Sequence, residues 1–140
     1  MRCTFKKQQK IGFSHCDPAG IVFYPRYYEM VVGVVEDWFS EALNWSFQEM
    51  HLEHKLGVPT VSIECQFQSA CRIGDTIDFS LTLAHLGNSS CTVHIVAQCQ
   101  DRPVFDTKNI LVLTELSAEA LVSRPFPESY REKMKPYLEG

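Results

Sequence analysis

The chain has 140 residues, 45% of them hydrophobic and 21% charged, and its 13 basic and 17 acidic side chains leave a net charge of −4. That length bounds the protein to one domain, long enough to build a core without metal or disulfide staples. The mild acidity excludes the electrostatic footprint of a nucleic-acid or anionic-membrane binder, and the composition excludes disordered and fibrous classes.

The N-terminal residues Met1 to Lys7 lack the apolar stretch of a secretory signal, so a cytoplasmic protein is expected. The longest nearly apolar run, Met30 to Val35, falls far short of the roughly 20 residues of a membrane span. Six cysteines at 3, 16, 65, 71, 91 and 99 form no Cys-x-x-Cys pair. In an intracellular chain they read as small apolar side chains, most of them buried, and not as a disulfide framework.

Residues 3 to 13 have strand character, with Phe5, Lys7, Gln9, Ile11 and Phe13 on one face. Ser14 to Phe23 reads as a loop broken by Asp17-Pro18 and Gly20. Tyr24-Pro25 starts a helix, since proline is favoured where a helical N–H would lack a partner. From Arg26 to Leu43 the apolar residues cover most of the circumference, which predicts a helix buried nearly all round. Ser46-Phe47-Gln48-Glu49 has the capping-box pattern, with Glu49 reaching back, and predicts a short helix to about His54.

Four strands follow, around 61–67, 77–83, 91–99 and 104–114, with turns at Gly74-Asp75, Gly87-Asn88 and Asp101-Arg102-Pro103. Short connections predict antiparallel neighbours. A last helix is expected from Pro127 to about Leu138, with Tyr130, Met134, Tyr137 and Leu138 at helical spacing. The fold class is α+β: a strongly curved antiparallel sheet wrapped around one long helix.

The stretch from His15 to Tyr27 carries the chemistry. It puts the carboxylate of Asp17 just before a helix N-terminus, with Gly20 letting the backbone fold back. The first N–H groups of a helix are unpaired and sit at the positive end of its dipole. A carbonyl oxygen docked there meets donors aimed at its developing charge. Asp17 then stands near the carbonyl carbon, as nucleophile or as general base for water. Acyl transfer to water, with a thioester as the electrophile, suits such a site.

This stretch resembles the active-site loop of the 4-hydroxybenzoyl-CoA thioesterase family, among the hotdog-fold acyl-CoA thioesterases. The matching residues are Asp17-Pro18-Ala19-Gly20-Ile21-Val22, the Tyr24-Pro25 helix start and Tyr27. The resemblance implies Asp17 as the catalytic carboxylate and the Tyr24 N–H as the donor that polarises the thioester carbonyl. The expected substrate is an acyl-CoA whose acyl group is aromatic or short to medium in chain length, and no cofactor or metal is expected. The resemblance also implies a homodimer joined edge to edge through its sheets, often paired into a homotetramer, with active sites at the subunit interface. His15, Gly20 and Tyr27 are the candidate substrate-binding positions. Many related enzymes have histidine at the position of Tyr24; the aromatic-acyl branch tends to have tyrosine. The family's arginine-rich turn is here Leu86-Gly87-Asn88-Ser89-Ser90, so either the phosphate clamp is weaker or lies elsewhere, with Arg72 and Arg102 as candidate substitutes, or the thioester carrier is not CoA.

Other readings compete. Cys16 as nucleophile has only its neighbour His15 to activate it. Glu29 or Glu36 on the long helix are alternative catalytic carboxylates. Tyr27, Tyr28, Trp38 and Phe39 are acyl-pocket or core residues. His51 and His54, three apart, lack the further ligands a metal needs, and His85 and His94 read as ordinary strand positions. A hydratase or dehydratase on the same fold, and a non-catalytic acyl-carrier binding module, are the alternative functions.

Overall fold

The computed structural model describes residues 2–117 and 119–140. Strand β1 spans Phe5–Lys10. It is shorter than the sequence predicts, because the Ile11 N–H turns away to the Asp75 carbonyl and a 3-10 turn, Phe13–His15, follows. Helix α1 spans Pro25–Asp37, with Pro25 in its first turn. A π-type turn, Trp38–Ala42, continues it. Asn44, at φ 55°, then ends the helical run.

Helix α2, Phe47–Leu52, is capped by the Ser46 hydroxyl, which accepts the Glu49 N–H at 3.1 Å. The reciprocal half of the capping box does not form among the described residues; the Glu49 carboxylate lies 3.7 Å from His54 instead. Strands β2 (Leu56–Gly57), β3 (Thr60–Phe67), β4 (Thr76–Leu86), β5 (Ser90–Cys99), β6 (Arg102–Val112) and β7 (Thr114–Glu115) follow. Helix α3, Glu128–Met134, and a 3-10 turn, Lys135–Tyr137, close the chain.

The main sheet has the order β1-β4-β5-β6-β3, every pair antiparallel. A separate two-stranded ladder joins β2 to β7, a pairing too short to show as a period of two. Register shifts at Thr60/Ser62, Leu83/His85 and Ala97/Gln98 interrupt the ladders, and such irregularities bend and twist a sheet. Alternate residues of β4 and β5, including Ile77, Phe79, Leu81, Val93 and Ile95, are buried on the inner face. Tyr27, Met30, Val31, Val34 and Val35 of α1 join them in one core cluster. Each large apolar side chain buried there contributes about 1.5–3 kcal/mol.

Two expectations need correction. Helix α1 is not buried nearly all round: Val32 is 55% exposed, and Glu29 and Glu36 face solvent. Its stripe of Tyr24, Tyr28 and Val32 lies one turn apart outside the core. The apolar circumference therefore reports two surfaces, one packed on the sheet and one left open within the single chain. Second, β3 and β4 follow one another in sequence but are not neighbours. Strand β3 lies at the far edge, on β6, so the segment 68–75 crosses an end of the sheet. Short loops dictate antiparallel pairing only when nothing else fastens the loop. Here Gln68 and Ser69 donate to the Val104 carbonyl, and Arg102 donates to the Ser69 hydroxyl and the Ala70 carbonyl. None of the described helices is long and apolar enough to cross a membrane.

Candidate active site

The loop before α1 is folded by its own backbone. The Asp17 N–H donates to the Ile21 carbonyl at 3.0 Å, and the Gly20 N–H returns to the Asp17 carbonyl at 2.9 Å. Gly20 sits at φ 82°, in the left-handed region where a side chain is strained. The Asp17 carboxylate accepts the Ala19 N–H through Oδ1 at 2.8 Å. Its Oδ2 has no partner among the described residues.

The start of α1 leaves one amide over. Pro25 has no N–H. Arg26 and Tyr27 donate to the Phe23 and Tyr24 carbonyls at 2.9 and 3.0 Å. The Tyr24 N–H has no acceptor among the described residues, and it stands at the positive end of a 13-residue helix. The sequence pointed to several free amides at this terminus; the structure leaves Tyr24 as the first of them.

Asp17 and Tyr24 line one cavity of about 400 Å³ together with Tyr27, Phe67, Gln68 and Ser69. Three of its walls come from the loop, the helix start and the crossover segment 68–70. The crossover is anchored on the loop: the Val22 N–H donates to the Cys71 carbonyl at 2.9 Å, and the Cys71 N–H donates to the Tyr27 hydroxyl at 3.1 Å. Burial pushes the Tyr27 phenol up to about 12, so it is neutral at physiological pH and serves as an acceptor and a packing group. The ring of Phe67 lies 6.1 Å from that of Tyr24 and 5.9 Å from that of Tyr27, which gives the cavity an aromatic lining.

The His15 ring accepts the Gly12 N–H at 2.9 Å through Nδ1 and lines a different cavity, of about 470 Å³, between β1 and α1. Within one chain its side chain is thus apart from Asp17; its carbonyl, which accepts the Phe23 N–H, braces the helix start. The Cys16 thiol points at the Gly12 carbonyl, 3.6 Å away. Glu29 pairs with Arg26 at the surface. Trp38 and Phe39 are fully buried core residues. Arg102 is engaged by Ser69, Ala70 and Asp75, so it holds the crossover and is not a free phosphate clamp. His54 accepts the Trp45 indole N–H at 2.9 Å, while His51 stacks on Phe47; the two share no metal geometry. Phe67, Gln68, Ser69 and Arg102 were not legible as one group, because only the crossover brings them to the loop.

The model of the thioesterase-like superfamily matches residues 11–134. The chain belongs to that superfamily, its fold is the hotdog fold, and it is a thioester hydrolase. Among solved structures it is similar to the 4-hydroxybenzoyl-CoA thioesterase of Pseudomonas sp. strain CBS-3, at 23% identity and a TM-score of 0.84, over 93% of this chain and 98% of that one. A gentisyl-coenzyme A thioesterase matches at 24% identity and a TM-score of 0.82, over 93% and 99% of the two chains. A 1,4-dihydroxy-2-naphthoyl-CoA thioesterase from Synechocystis matches at 18% identity and 0.85, over 95% and 96%. No curated protein sequence matches.

Proposed function

We propose that this protein hydrolyses acyl-CoA thioesters whose acyl group is aromatic or of short to medium length. The observation that carries the reading is the pairing, on one cavity, of the Asp17 carboxylate with the unpaired Tyr24 N–H at the start of α1. The thioester carbonyl oxygen docks against that N–H, and the hydrogen bond between them strengthens as the oxygen becomes an oxyanion. Asp17 either attacks the carbonyl carbon through Oδ2 or removes a proton from an attacking water. The C–S bond breaks, and the CoA thiolate departs and takes up a proton; in the nucleophilic route water then hydrolyses the acyl–Asp17 anhydride, which releases the acid and restores the carboxylate. The rings of Tyr24, Tyr27 and Phe67 favour a flat acyl group, as do the three aromatic-acyl enzymes to which the chain is similar.

The deciding experiment is a thiol-release screen over aromatic, branched and straight-chain acyl-CoAs with the wild type and Asp17→Asn. The substitution keeps the acceptor for the Ala19 N–H but removes the base, and turnover should fall at least about 10²-fold. Unchanged hydrolysis by the variant would reject Asp17. A single turnover in oxygen-18 water then separates the two roles: label in the Asp17 carboxylate signifies an anhydride intermediate.

We further infer a homodimer through β3. This strand ends the sheet, so one row of its backbone groups is unpaired. Val61, Ile63 and Phe67 on it are 44–49% exposed, beside the open stripe of α1.

A further inference from the structure

Behind the crossover lies a cluster that the hydrolysis of a thioester does not use. The sulfurs of Cys71 and Cys99 and a carboxylate oxygen of Asp75 all lie within 4.8 Å of one another. Both thiols are free, Cys71 fully buried and Cys99 3% exposed. Asp75 closes the outer side; its carboxylate is about one-third exposed. Asp75 Oδ2 accepts the Arg72 N–H at 2.9 Å and lies 3.7 Å from the Arg102 guanidinium, while Oδ1 has no partner among the described residues. We propose that Cys71, Cys99 and Asp75 form a binding site for a thiophilic divalent cation of the zinc or cadmium type, which regulates the neighbouring cavity.

The donor set fits such an ion. Two sulfurs and one carboxylate oxygen give a borderline-soft cation three corners of a tetrahedron, and water at the Asp75 side completes it. Bond lengths of about 2.3 Å to sulfur put two sulfur ligands about 3.8 Å apart, so a side-chain shift of at most about 1 Å closes the cluster. Charge also balances: two thiolates and a carboxylate against one divalent ion leave one negative charge, and Arg102 stands beside it. Without the ion, burial pushes the Cys71 thiol up and keeps it protonated. No local spacing betrays this site, because its ligands come from the crossover and from the last residue of β5.

The link to the cavity is Cys71 itself. Its N–H donates to the Tyr27 hydroxyl and its carbonyl takes the Val22 N–H. Drawing its sulfur toward Cys99 pulls on both hydrogen bonds, so occupancy should slow turnover; this coupling rests on the thioesterase reading above.

The test titrates the reduced full-length protein with cadmium, using the ultraviolet thiolate-to-cadmium absorption, and then displaces it with zinc. We expect one cadmium per chain, an absorption lost in Cys99→Ser, and affinity weakened at least about tenfold in Asp75→Asn. Cys3→Ser should bind as the wild type does. Absence of one-to-one binding, or an absorption that survives Cys99→Ser, overturns the site. Cys99 lies at a strand end, and the Asp75→Asn titration provides an independent reading should Cys99→Ser fail to fold. These measurements need no hydrolysis, and they stand or fall apart from the thioesterase assignment. In the activity arm, cadmium should inhibit the wild type and leave Cys99→Ser unaffected; equal turnover of loaded and metal-free wild type overturns the coupling.

Discussion

The Tyr27 hydroxyl accepts the Cys71 N–H while its ring packs between Phe67 and Phe105, at 5.9 and 5.2 Å. Phenylalanine would keep the packing and orphan a buried amide, which costs about 1–3 kcal/mol. Tyr27→Phe should therefore lower the unfolding free energy by that amount, read as a lower denaturant midpoint with no change in slope. The same residue shapes the alkaline limit. Burial raises the Tyr27 phenol from 10.0 to about 12, and the Cys91 thiol from 9.0 to about 12. A raised folded-state value favours the neutral form, so this stabilisation is whole below the unfolded values and fades as pH climbs toward the folded ones. Unfolding free energy should fall from about pH 9 upward. In Tyr27→Phe the part of that fall lying above pH 10 should shrink, and a denaturation series across pH 8 to 11.5 measures it. An unaltered slope in the variant would remove Tyr27 from the account.

At the scale of elements, the crossover between β3 and β4 matters most, because it turns a sheet end into a cavity wall. Arg102 secures it by donating to the Ser69 hydroxyl at 2.7 Å and the Ala70 carbonyl at 2.8 Å. The guanidinium is 43% exposed, so solvent screening limits its worth to about 1 kcal/mol. Arg102→Gln should accordingly raise KM by roughly fivefold, with a much smaller change in kcat and in melting temperature. Equal loss in kcat would mean that Arg102 acts on the reacting atoms instead. Helix α1 contributes differently: its proline start and its loop of Asp17 to Gly20 present an amide that the helix cannot use itself. The C-terminus is tied to the outer sheet face, where the Glu139 N–H donates to the Leu83 carbonyl and its carboxylate meets His94 and Thr82. Burial would raise that carboxyl, but the hydrogen bonds from His94 and Thr82 outweigh it and hold it below its ordinary value.

For the whole molecule, the open edge of β3 and the exposed stripe of α1 define what a single chain leaves unfinished. An unpaired strand edge carrying Val61, Ile63 and Phe67 invites pairing with a second sheet. The wild type should sediment as a dimer or larger. A charge placed on that edge, as in Ile63→Asp, should shift it to monomer and reduce turnover, because the cavity containing Tyr24 and Phe67 lies against the same edge. A wild-type monomer with full activity would contradict the inferred assembly.

The primary structure alone determined the main helices, the long antiparallel strands and the loop-and-proline pattern from Asp17 to Tyr27. These are local properties: period-two alternation in β4 and β5, a proline that cannot donate at a helix start, and a glycine that can adopt a left-handed turn. Which elements became neighbours was decided only in three dimensions. The β3–β4 connection looked like an ordinary short loop, yet hydrogen bonds from Arg102 and to Val104 carry it across the sheet end. Those partners are distant in sequence and have no periodicity to betray them. The same reason kept Cys71, Cys99 and Asp75 apart on paper, and it left α1 looking buried all round when one apolar side faces outward. Periodicity reports how much apolar surface an element carries; the packed chain alone decides what covers it.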